Sequence, residues 1–214
     1  KRHYYEFYKT AYFNFNIKDM KENEMIFGIR AIIEAVKSDK QIDKIILKND
    51  MQSELAKELF NAIKGFSHIQ VQRVPLERLN RYTHKNHQGA IAFVSQTTYQ
   101  LVSDIVPTLY EEGKTPFFVV LDGVTDVRNF GAIARTCECG GVDAIVIPVK
   151  GGASVNADAV KTSAGALHTL PVCKESNLVS ALKFLKQCGI RIVVASEKGN
   201  KNYTEANLYD PVAI

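Results

Sequence analysis

The residues best suited to chemistry lie in one stretch of the chain, residues 117–148. Its pattern predicts a buried strand, a polar turn over residues 122–129, a helix that a glycine pair ends, and a second buried strand. Asn129 occupies the position expected for the helix N-cap, where its side-chain oxygen accepts a backbone N–H. Arg135 lies about two turns further along among small residues. A long cation there either extends into solvent or serves a site at the end of the sheet.

A second polar group of residues precedes a predicted strand in the N-terminal half of the chain. His84, Lys85 and His87 belong to the loop His-Lys-Asn-His-Gln-Gly, which an apolar strand over residues 90–94 follows. The loop is either a structural turn, in which Gly89 supplies a special backbone conformation, or a clamp whose cations and amides bind RNA phosphates and base edges. Both interpretations stay open on the sequence alone.

The first sixteen residues combine aromatic rings with cations. Seven Tyr and Phe residues are interleaved there with Lys1, Arg2 and Lys9. Such a segment is able to stack on unpaired bases and hold phosphates. We favour the simpler interpretation, an N-terminal arm that packs on its own subunit or on a partner.

The bulk composition permits a nucleic-acid partner but does not require one. The chain has 214 residues and a net charge of +4, enough for one large domain or two small ones. Its four cysteines form no C-x-x-C pair and no metal-ligand spacing, so we expect buried or partly buried free thiols and no metal. No apolar run is long enough for a membrane span and no signal-peptide pattern opens the chain, so we expect a cytoplasmic protein that does not engage a membrane.

The order of the predicted elements indicates two α/β domains. Residues 22–96 are predicted as a compact α/β unit, residues 97–113 as a partly helical linker broken at Pro107 and Gly113, and residues 114–214 as a second domain. In the second domain, strands alternating with helices predict a parallel sheet covered on both faces. Beside the helix over residues 130–139, the predicted helices are residues 25–36, 53–63 and 176–188, a short turn opened by Pro75 and a helix ending near Gly165. The later predicted strands are residues 168–172 and 190–195.

The stretch that begins at Asp122 resembles a known family signature. The order D-G-V-x-D-x-x-N-x-G-A-I-x-R-x-x-x-x-G-G is similar to the first signature motif of the SpoU (TrmH-type) branch of the SPOUT RNA ribose methyltransferases. The matching residues are Asp122, Gly123, Val124, Asp126, Asn129, Gly131, Ala132, Ile133, Arg135, Gly140 and Gly141. Val127 stands where the family usually has proline, a change that only loosens the turn.

Three further segments carry the same resemblance. Residues 27–35 and the His-Gln-Gly of residues 87–89 resemble the N-terminal substrate-binding domain of the 23S rRNA guanosine-2′-O-methyltransferase subgroup. That domain is similar to an α/β fold shared with ribosomal and kink-turn RNA-binding proteins. Residues 161–166 resemble the family's S-x-G-A segment, although a helix end made of small residues packed close to the sheet accounts for them equally well.

The resemblance implies S-adenosylmethionine-dependent 2′-O-methylation of a ribose in structured RNA, with ribosomal RNA favoured over tRNA. It implies that Arg135 binds the adjacent phosphate and favours loss of the 2′-OH proton, and that Asn129 shapes the loop or contacts the ribose. The implied cofactor contacts are Ala195, Ser196, Glu197 and Gly199, and the implied RNA contacts are Arg30, His84, Lys85, His87 and Arg128. Family members dimerise through the C-terminal domain, so a homodimer is expected.

Two later motifs of the family have no counterpart before Ile214. They are a G-x-E-x-x-G segment and an S-L-N-V-S helix start, which in the family form the trefoil knot and most of the cofactor pocket. We therefore expect the methyltransferase domain to be incomplete here and cofactor binding to be weak. Truncation, a disordered end and a natural loss of activity would each account for the missing motifs.

Other functions stay open beside the enzyme. One alternative is a non-catalytic RNA-binding module or ribosome-assembly factor, and another is a tRNA 2′-O-methyltransferase. A doubly wound nucleotide-binding enzyme is disfavoured, because no Gly-rich phosphate loop follows either first strand.

Overall fold

A computed structural model describes residues 25–83, 85–199 and 202–214, which divide into two units at Ser95 and Gln96. The N-terminal aromatic segment and His84 lie outside the described residues. Within the described ranges, no helix combines the length and the apolar character that a membrane crossing requires.

The first unit is a four-stranded mixed sheet with helices on both faces. Its elements are β1 (Met25–Phe27), α1 (Ile29–Lys37), β2 (Ile42–Lys48), α2 (Glu54–Ile63), β3 (Gln70–Val74), α3 (Leu76–Leu79) and β4 (Ala90–Val94). The strand order is β1-β4-β2-β3, with β4 antiparallel to both of its neighbours and β2 parallel to β3.

Alternation along β2 places a core on each face of this sheet. Ile45 and Leu47 pack in the cluster that α1 and α2 cover, whereas Ile46 packs in the opposite cluster with Leu79 of α3. All four side chains are fully buried. Successive residues of a strand point to opposite faces, so one apolar run supplies both cores.

The prediction of a helix over residues 25–36 was wrong for its first residues, which form a strand. Met25, Ile26 and Phe27 form β1, each paired with a residue of β4, and the helix begins only at Ile29. Gly28 separates the two elements with φ of +84°, a left-handed conformation that glycine adopts without strain. Pairing with β4 decides the conformation of residues 25–27, which periodicity alone assigned to the helix.

The second unit contains a six-stranded sheet that is parallel throughout. Its elements are β5 (Tyr99–Gln100), α4 (Val102–Glu111), β6 (Phe117–Val120), α5 (Val127–Cys139), β7 (Ala144–Pro148), α6 (Ala157–Thr162), β8 (Val172–Glu175), α7 (Leu178–Gln187), β9 (Arg191–Ile192) and β10 (Val212–Ala213). The strand order is β5-β8-β7-β6-β10-β9.

Both faces of this sheet are covered, as the sequence predicts. Ile145 and Ile147 of β7 face the cluster that α5 and α6 cover, and Ala144 and Val146 face the cluster that α4 and α7 cover. A strand of a parallel sheet that is buried on both faces has a continuous apolar sequence, and for this reason the sequence predicted β7.

The segment predicted as a linker forms the first two elements of the second unit. Tyr99 of β5 pairs with Val172 of β8, and α4 buries four apolar side chains. Pro107 lies inside α4 and does not end it. Propensity at Pro107 predicts a break, but burial of the apolar face of α4 outweighs it.

Two predicted strands are shifted or shortened. Residues 166–168 form a 3₁₀ turn, and β8 begins only at Val172 and extends to Glu175. Strand β9 is restricted to Arg191 and Ile192, within the predicted residues 190–195. The sequence did not indicate β8 at these positions because Lys174 and Glu175 are charged. In the structure Lys174 lies over the Tyr99 ring at 4.4 Å, and the Glu175 carboxylate accepts the Val102 N–H at 2.8 Å.

Candidate active site and RNA interface

Helix α5 begins at the edge of the parallel sheet that follows the carboxyl ends of the strands, and Asp126 caps it. The Asp126 Oδ1 atom accepts the backbone N–H of Asn129 at 2.7 Å. The prediction that Asn129 is the N-cap was therefore wrong. Both residue types cap helices, and the three-residue spacing from Asp126 to Asn129 is the capping spacing, so the helix begins three residues, nearly one turn, earlier than the sequence suggested.

The two faces of α5 have opposite characters. Phe130, Ala134 and Cys137 are buried against the sheet. The opposite face exposes Asn129 and both arginines of the helix, Arg128 and Arg135. Because the arginines are seven residues apart, they lie on the same side of the helix, separated by about 10 Å along its axis.

Arg135 presents its charge to solvent. Within residues 25–83, 85–199 and 202–214, its guanidinium makes no hydrogen bond or ion pair. Such a cation is available to an anionic ligand without first breaking an internal bond. The sequence left open whether Arg135 extends into solvent or serves a site at the end of the sheet. In this structure the side chain extends into solvent, where a substrate can also reach it.

The segment over residues 161–166 has a structural role. Ser163 is 1% exposed, and its hydroxyl donates to the Val160 carbonyl at 2.8 Å and accepts the Leu167 N–H at 3.3 Å. Gly165 has φ of +93° and begins the 3₁₀ turn, while Ser163 is the C-cap of α6. The buried Ser163 hydroxyl therefore uses its single donor and one acceptor position within the protein.

The loop after β9 lies at the same edge of the sheet as the start of α5. Ala195, Ser196, Glu197 and Gly199 are all exposed there. The Ser196 hydroxyl accepts the Lys198 N–H at 3.2 Å, which holds the loop in a turn. The strand order changes direction between β6 and β10, and ligands of open α/β sheets bind beside such points.

This edge offers features that fit a nucleoside cofactor. Val194, 78% exposed, provides an apolar surface beside the turn. Backbone groups of the exposed loop provide polar contacts, and a nucleoside needs both kinds of surface. The described loop would form one wall of a site of this kind.

The first unit contains a groove of about 1000 Å³ that brings together several predicted RNA contacts. Arg30 of α1 and Lys85 line it, together with Lys48 from the end of β2, which the sequence did not indicate. Lys48 pairs with Asp50 at 3.0 Å, and the hydrogen bond from Lys48 lowers the pKa of the Asp50 carboxyl. We call this surface the cationic groove.

The side chain of His87 is turned inward. It is 7% exposed, its Nδ1 accepts the Gly89 N–H at 3.0 Å, and its Nε2 lies 2.9 Å from Asn80 Oδ1. These partners require the tautomer with the proton on Nε2, which donates to Asn80. In this conformation the imidazole has no free nitrogen for RNA, and its role is to hold the loop that carries Lys85 and Gln88.

In the second unit, burial is the main cause of the raised pKa values of one carboxyl group and two thiols. Burial raises the pKa of the Glu175 carboxyl, with a smaller contribution from Asp104, against the opposing hydrogen bond from the Val102 N–H. Burial likewise raises the pKa values of the Cys137 and Cys173 thiols. All four cysteines are free thiols, and the expected burial or partial burial holds for Cys137, Cys173 and Cys188 but is wrong for Cys139, which is exposed. The described ranges contain no His, Cys, Asp and Glu cluster suited to a metal.

The second unit has a fully parallel sheet with polar loops at its carboxyl edge, and the first unit has a mixed sheet with the cationic groove. These features define a two-unit α/β protein with a surface suited to an anionic ligand. Comparison with known families specifies the class. The family described as "SpoU rRNA Methylase family" matches residues 116–214, and the domain described as "RNA 2′-O ribose methyltransferase substrate binding" matches residues 25–100.

Curated relatives agree with these matches. The chain is 31% identical over 195 residues to the 23S rRNA (guanosine-2′-O-)-methyltransferase RlmB of Photorhabdus laumondii, covering 90% of this chain and 79% of that protein. It is 30% identical to the RlmB protein of Vibrio parahaemolyticus, covering 90% and 78%. The chain therefore belongs to the SpoU family of RNA 2′-O-ribose methyltransferases.

Among solved structures, an AdoMet-bound rRNA methyltransferase from Sinorhizobium meliloti superposes with a TM-score of 0.47. It is 19% identical, and the match covers 88% of this chain and 68% of that one.

Proposed function

We propose that this protein transfers a methyl group from S-adenosylmethionine to a ribose 2′-hydroxyl in ribosomal RNA. The observation that carries the proposal is Arg135, an exposed guanidinium on the helix of the family motif that has no partner among the residues the structure describes. Membership of the SpoU family supports both the reaction and the cofactor.

The proposed role of Arg135 follows from the charge of its substrate. A guanidinium presents fixed donors that match the oxygens of the phosphate next to the target ribose. Its positive field favours the alkoxide over the neutral hydroxyl, and alignment of the nucleophile removes much of the remaining barrier. Asn129, half a turn into the same helix, offers an exposed amide at the edge of the sheet for the ribose.

The cofactor supplies an electrophilic methyl group on a sulfonium. We assign its contacts to Ala195, Ser196, Glu197 and Gly199, because these residues occupy the exposed turn after β9 at the edge where α5 begins. The backbone amides of this turn would hold polar groups of the cofactor, and Val194 would cover an apolar part of it.

The RNA contacts are divided between the two units. We assign substrate binding to residues 22–96, through Arg30, His84 and Lys85 with His87 as a positioning residue, and methyl transfer to residues 114–214, where Arg128 extends the charged face of α5. Residues 97–113 are best grouped with the second unit, given the contacts of β5 and α4. A homodimer and the trefoil-knot type of the C-terminal domain remain predictions of the resemblance, and a cytoplasmic location remains a prediction from the sequence pattern.

The substrate is favoured to be 23S rRNA. The RlmB relatives are named for that RNA, while a Bacillus subtilis relative that is 28% identical over 194 residues is named for both tRNA and rRNA. The rival function is an RNA-binding module without catalysis. Such a module has no evident need of Asn129 and Arg135 together in the register of the family motif.

The test is a map of ribose 2′-O-methylation on ribosomal RNA from cells with and without the gene. We expect one mark to disappear and a wild-type copy to restore it. An Arg135→Ala copy should fail, with methyl transfer lowered about 10²-fold or more. Lys183→Ala, which removes an exposed cation from α7, is the control and should restore the mark.

An unchanged ribosomal map together with a lost tRNA mark would move the substrate to tRNA. If neither RNA changes, or if Arg135→Ala restores the mark, the proposed catalytic role is wrong.

A further inference from the structure

From the geometry of the first unit we infer that the cationic groove binds one or two unpaired nucleotides of the substrate RNA, with a base held inside it. This inference rests on the proposed function and names the feature that the enzyme recognises: an unpaired loop or bulge, as opposed to a continuous double helix.

The size of the groove supports a nucleotide as its occupant. A volume of about 1000 Å³ lies at the upper end of small-molecule sites. It accommodates a splayed nucleotide and its phosphates, whereas a base-paired helix would have to remain outside. Unpaired bases are also the part of an RNA that proteins read by their edges.

The lining of the groove contains the three kinds of group that a nucleotide requires. Arg30, Lys48 and Lys85 provide cations for phosphates, although Asp50 offsets part of that charge. Amides provide donors and acceptors for a base edge, and aliphatic side chains provide a floor for its face. The amides are Gln52, Asn86 and Gln88, and the aliphatic residues are Ile29, Met51, Leu55 and Leu76.

The backbone at Gln88 is held in an unusual conformation. Its φ is +49°, in the left-handed region that few residues other than glycine adopt. The conformation directs the amide toward the start of α1, where Gln88 Oε1 lies 3.3 Å from the position of a β-carbon at Gly28. Strain of this kind is found at ligand sites, where surrounding contacts maintain it.

The residues around Gln88 form a rigid support. His87 is buried and bonded on both ring nitrogens. The Lys48 N–H donates to the Gly89 carbonyl at 2.9 Å, and a β-carbon at Gly89 would lie 3.4 Å from Lys48 Cβ, so the loop is held against the end of β2. The groove is therefore a formed site, in which only the outward groups, Gln88 among them, remain for a ligand.

The test measures RNA binding by the full chain, using fluorescence anisotropy. The probes are hairpins that share one stem and carry loops of only A, only U or only C, and a blunt duplex of the same stem. We expect at least one hairpin to bind about five-fold more tightly than the duplex, as one additional hydrogen-bonded contact would produce.

Gln88→Gly removes the amide and relieves the backbone strain, so the protein should fold. We expect it to weaken hairpin binding about five-fold and leave duplex binding unchanged. Asp39→Gly is the matched control, because Asp39 also has a left-handed φ of +55° but lies beyond the other end of α1. It should change neither affinity.

Arg30→Gln tests the phosphate contact. It should weaken hairpin binding and lower the salt slope by about 0.7, the value for one phosphate of a single strand. Lys40→Gln removes an exposed charge outside the groove and should leave the slope nearly unchanged.

Equal affinity of the wild-type protein for all hairpins and the duplex would overturn the inference. So would a Gln88→Gly variant that loses affinity for both RNAs alike, which would indicate a purely structural role. Binding is measured without methyl transfer. An inactive wild-type protein that still prefers a hairpin would therefore contradict the proposed function and leave the groove inference standing.

Discussion

A β-carbon at Gly131 would lie 2.6 Å from the carbonyl oxygen of Ala159, so helices α5 and α6 are in backbone contact at this point. Thr162 closes the other side, with its Cβ 2.8 Å from the same position. The glycine of the family motif therefore determines how closely α5, which carries Asn129 and Arg135, packs on its neighbour.

We expect Gly131→Ala to lower the free energy of unfolding by about 1–3 kcal/mol, because a backbone oxygen cannot move aside as a side chain does. Methyl transfer should fall as well, since α5 must shift. Urea denaturation measures the first effect. Gly140→Ala is the control: its β-carbon would meet no atom closer than 3.3 Å, so a loss as large as that of Gly131→Ala would contradict the packing argument.

The cap at Asp126 is a second point where a single atom matters. Asp126→Ala should lower the free energy of unfolding by about 1 kcal/mol, because the Asn129 N–H loses its acceptor. Asp126→Asn retains a side-chain oxygen and should lose much less. Equal losses in the two variants, compared by thermal or urea unfolding, would show that the charge of Asp126 and not its capping oxygen is important.

Replacement of His87 should affect the cationic groove through the loop it supports. His87→Ala leaves the buried Gly89 N–H and the Asn80 oxygen without their partner, so we expect a loss of about 1–3 kcal/mol in stability. Amide hydrogen exchange at Gly89 should become faster. His168→Ala, at an exposed position, is the control, and unchanged exchange at Gly89 in the His87 variant would contradict the positioning role.

Glu175 predicts a pH dependence of stability. Its pKa is higher in the folded protein than in the unfolded chain, mainly because of burial. The folded state therefore binds the Glu175 proton more strongly than the unfolded chain does. The stability that this protonation contributes is fully present below the unfolded pKa. That contribution is lost as the pH rises through the folded value.

Glu175→Gln should remove this dependence while the amide oxygen still accepts the Val102 N–H. Relative to wild type, the variant should gain stability at neutral pH, and the gain should disappear toward acidic pH in urea titrations. Glu138→Gln, at an exposed position on α5, should show no such change. A gain in stability that is independent of pH would exclude ionisation of the Glu175 carboxyl as its cause.

Local sequence patterns were sufficient to predict many of the helices and strands. The helix predicted over residues 53–63 is α2, begun by the cap at Ser53, and the strand predicted over residues 90–94 is β4. The parallel sheet and the two α/β units also followed from the order of strands and helices. These features depend on neighbours within one or two turns of chain, which is the distance over which periodicity and capping act.

Contacts between distant residues decided the rest. Strand β10 pairs between β6 and β9, and β1 owes its conformation to β4, which lies at the other end of the first unit's sequence. The cationic groove joins Arg30, Lys48 and Lys85 from three separate segments. The sequence by itself determined which residue types were available and which helix carries Arg135. Only the tertiary structure turned His87 inward and brought Gly131 against Ala159, because side-chain burial and close packing depend on what the folded chain places opposite each residue.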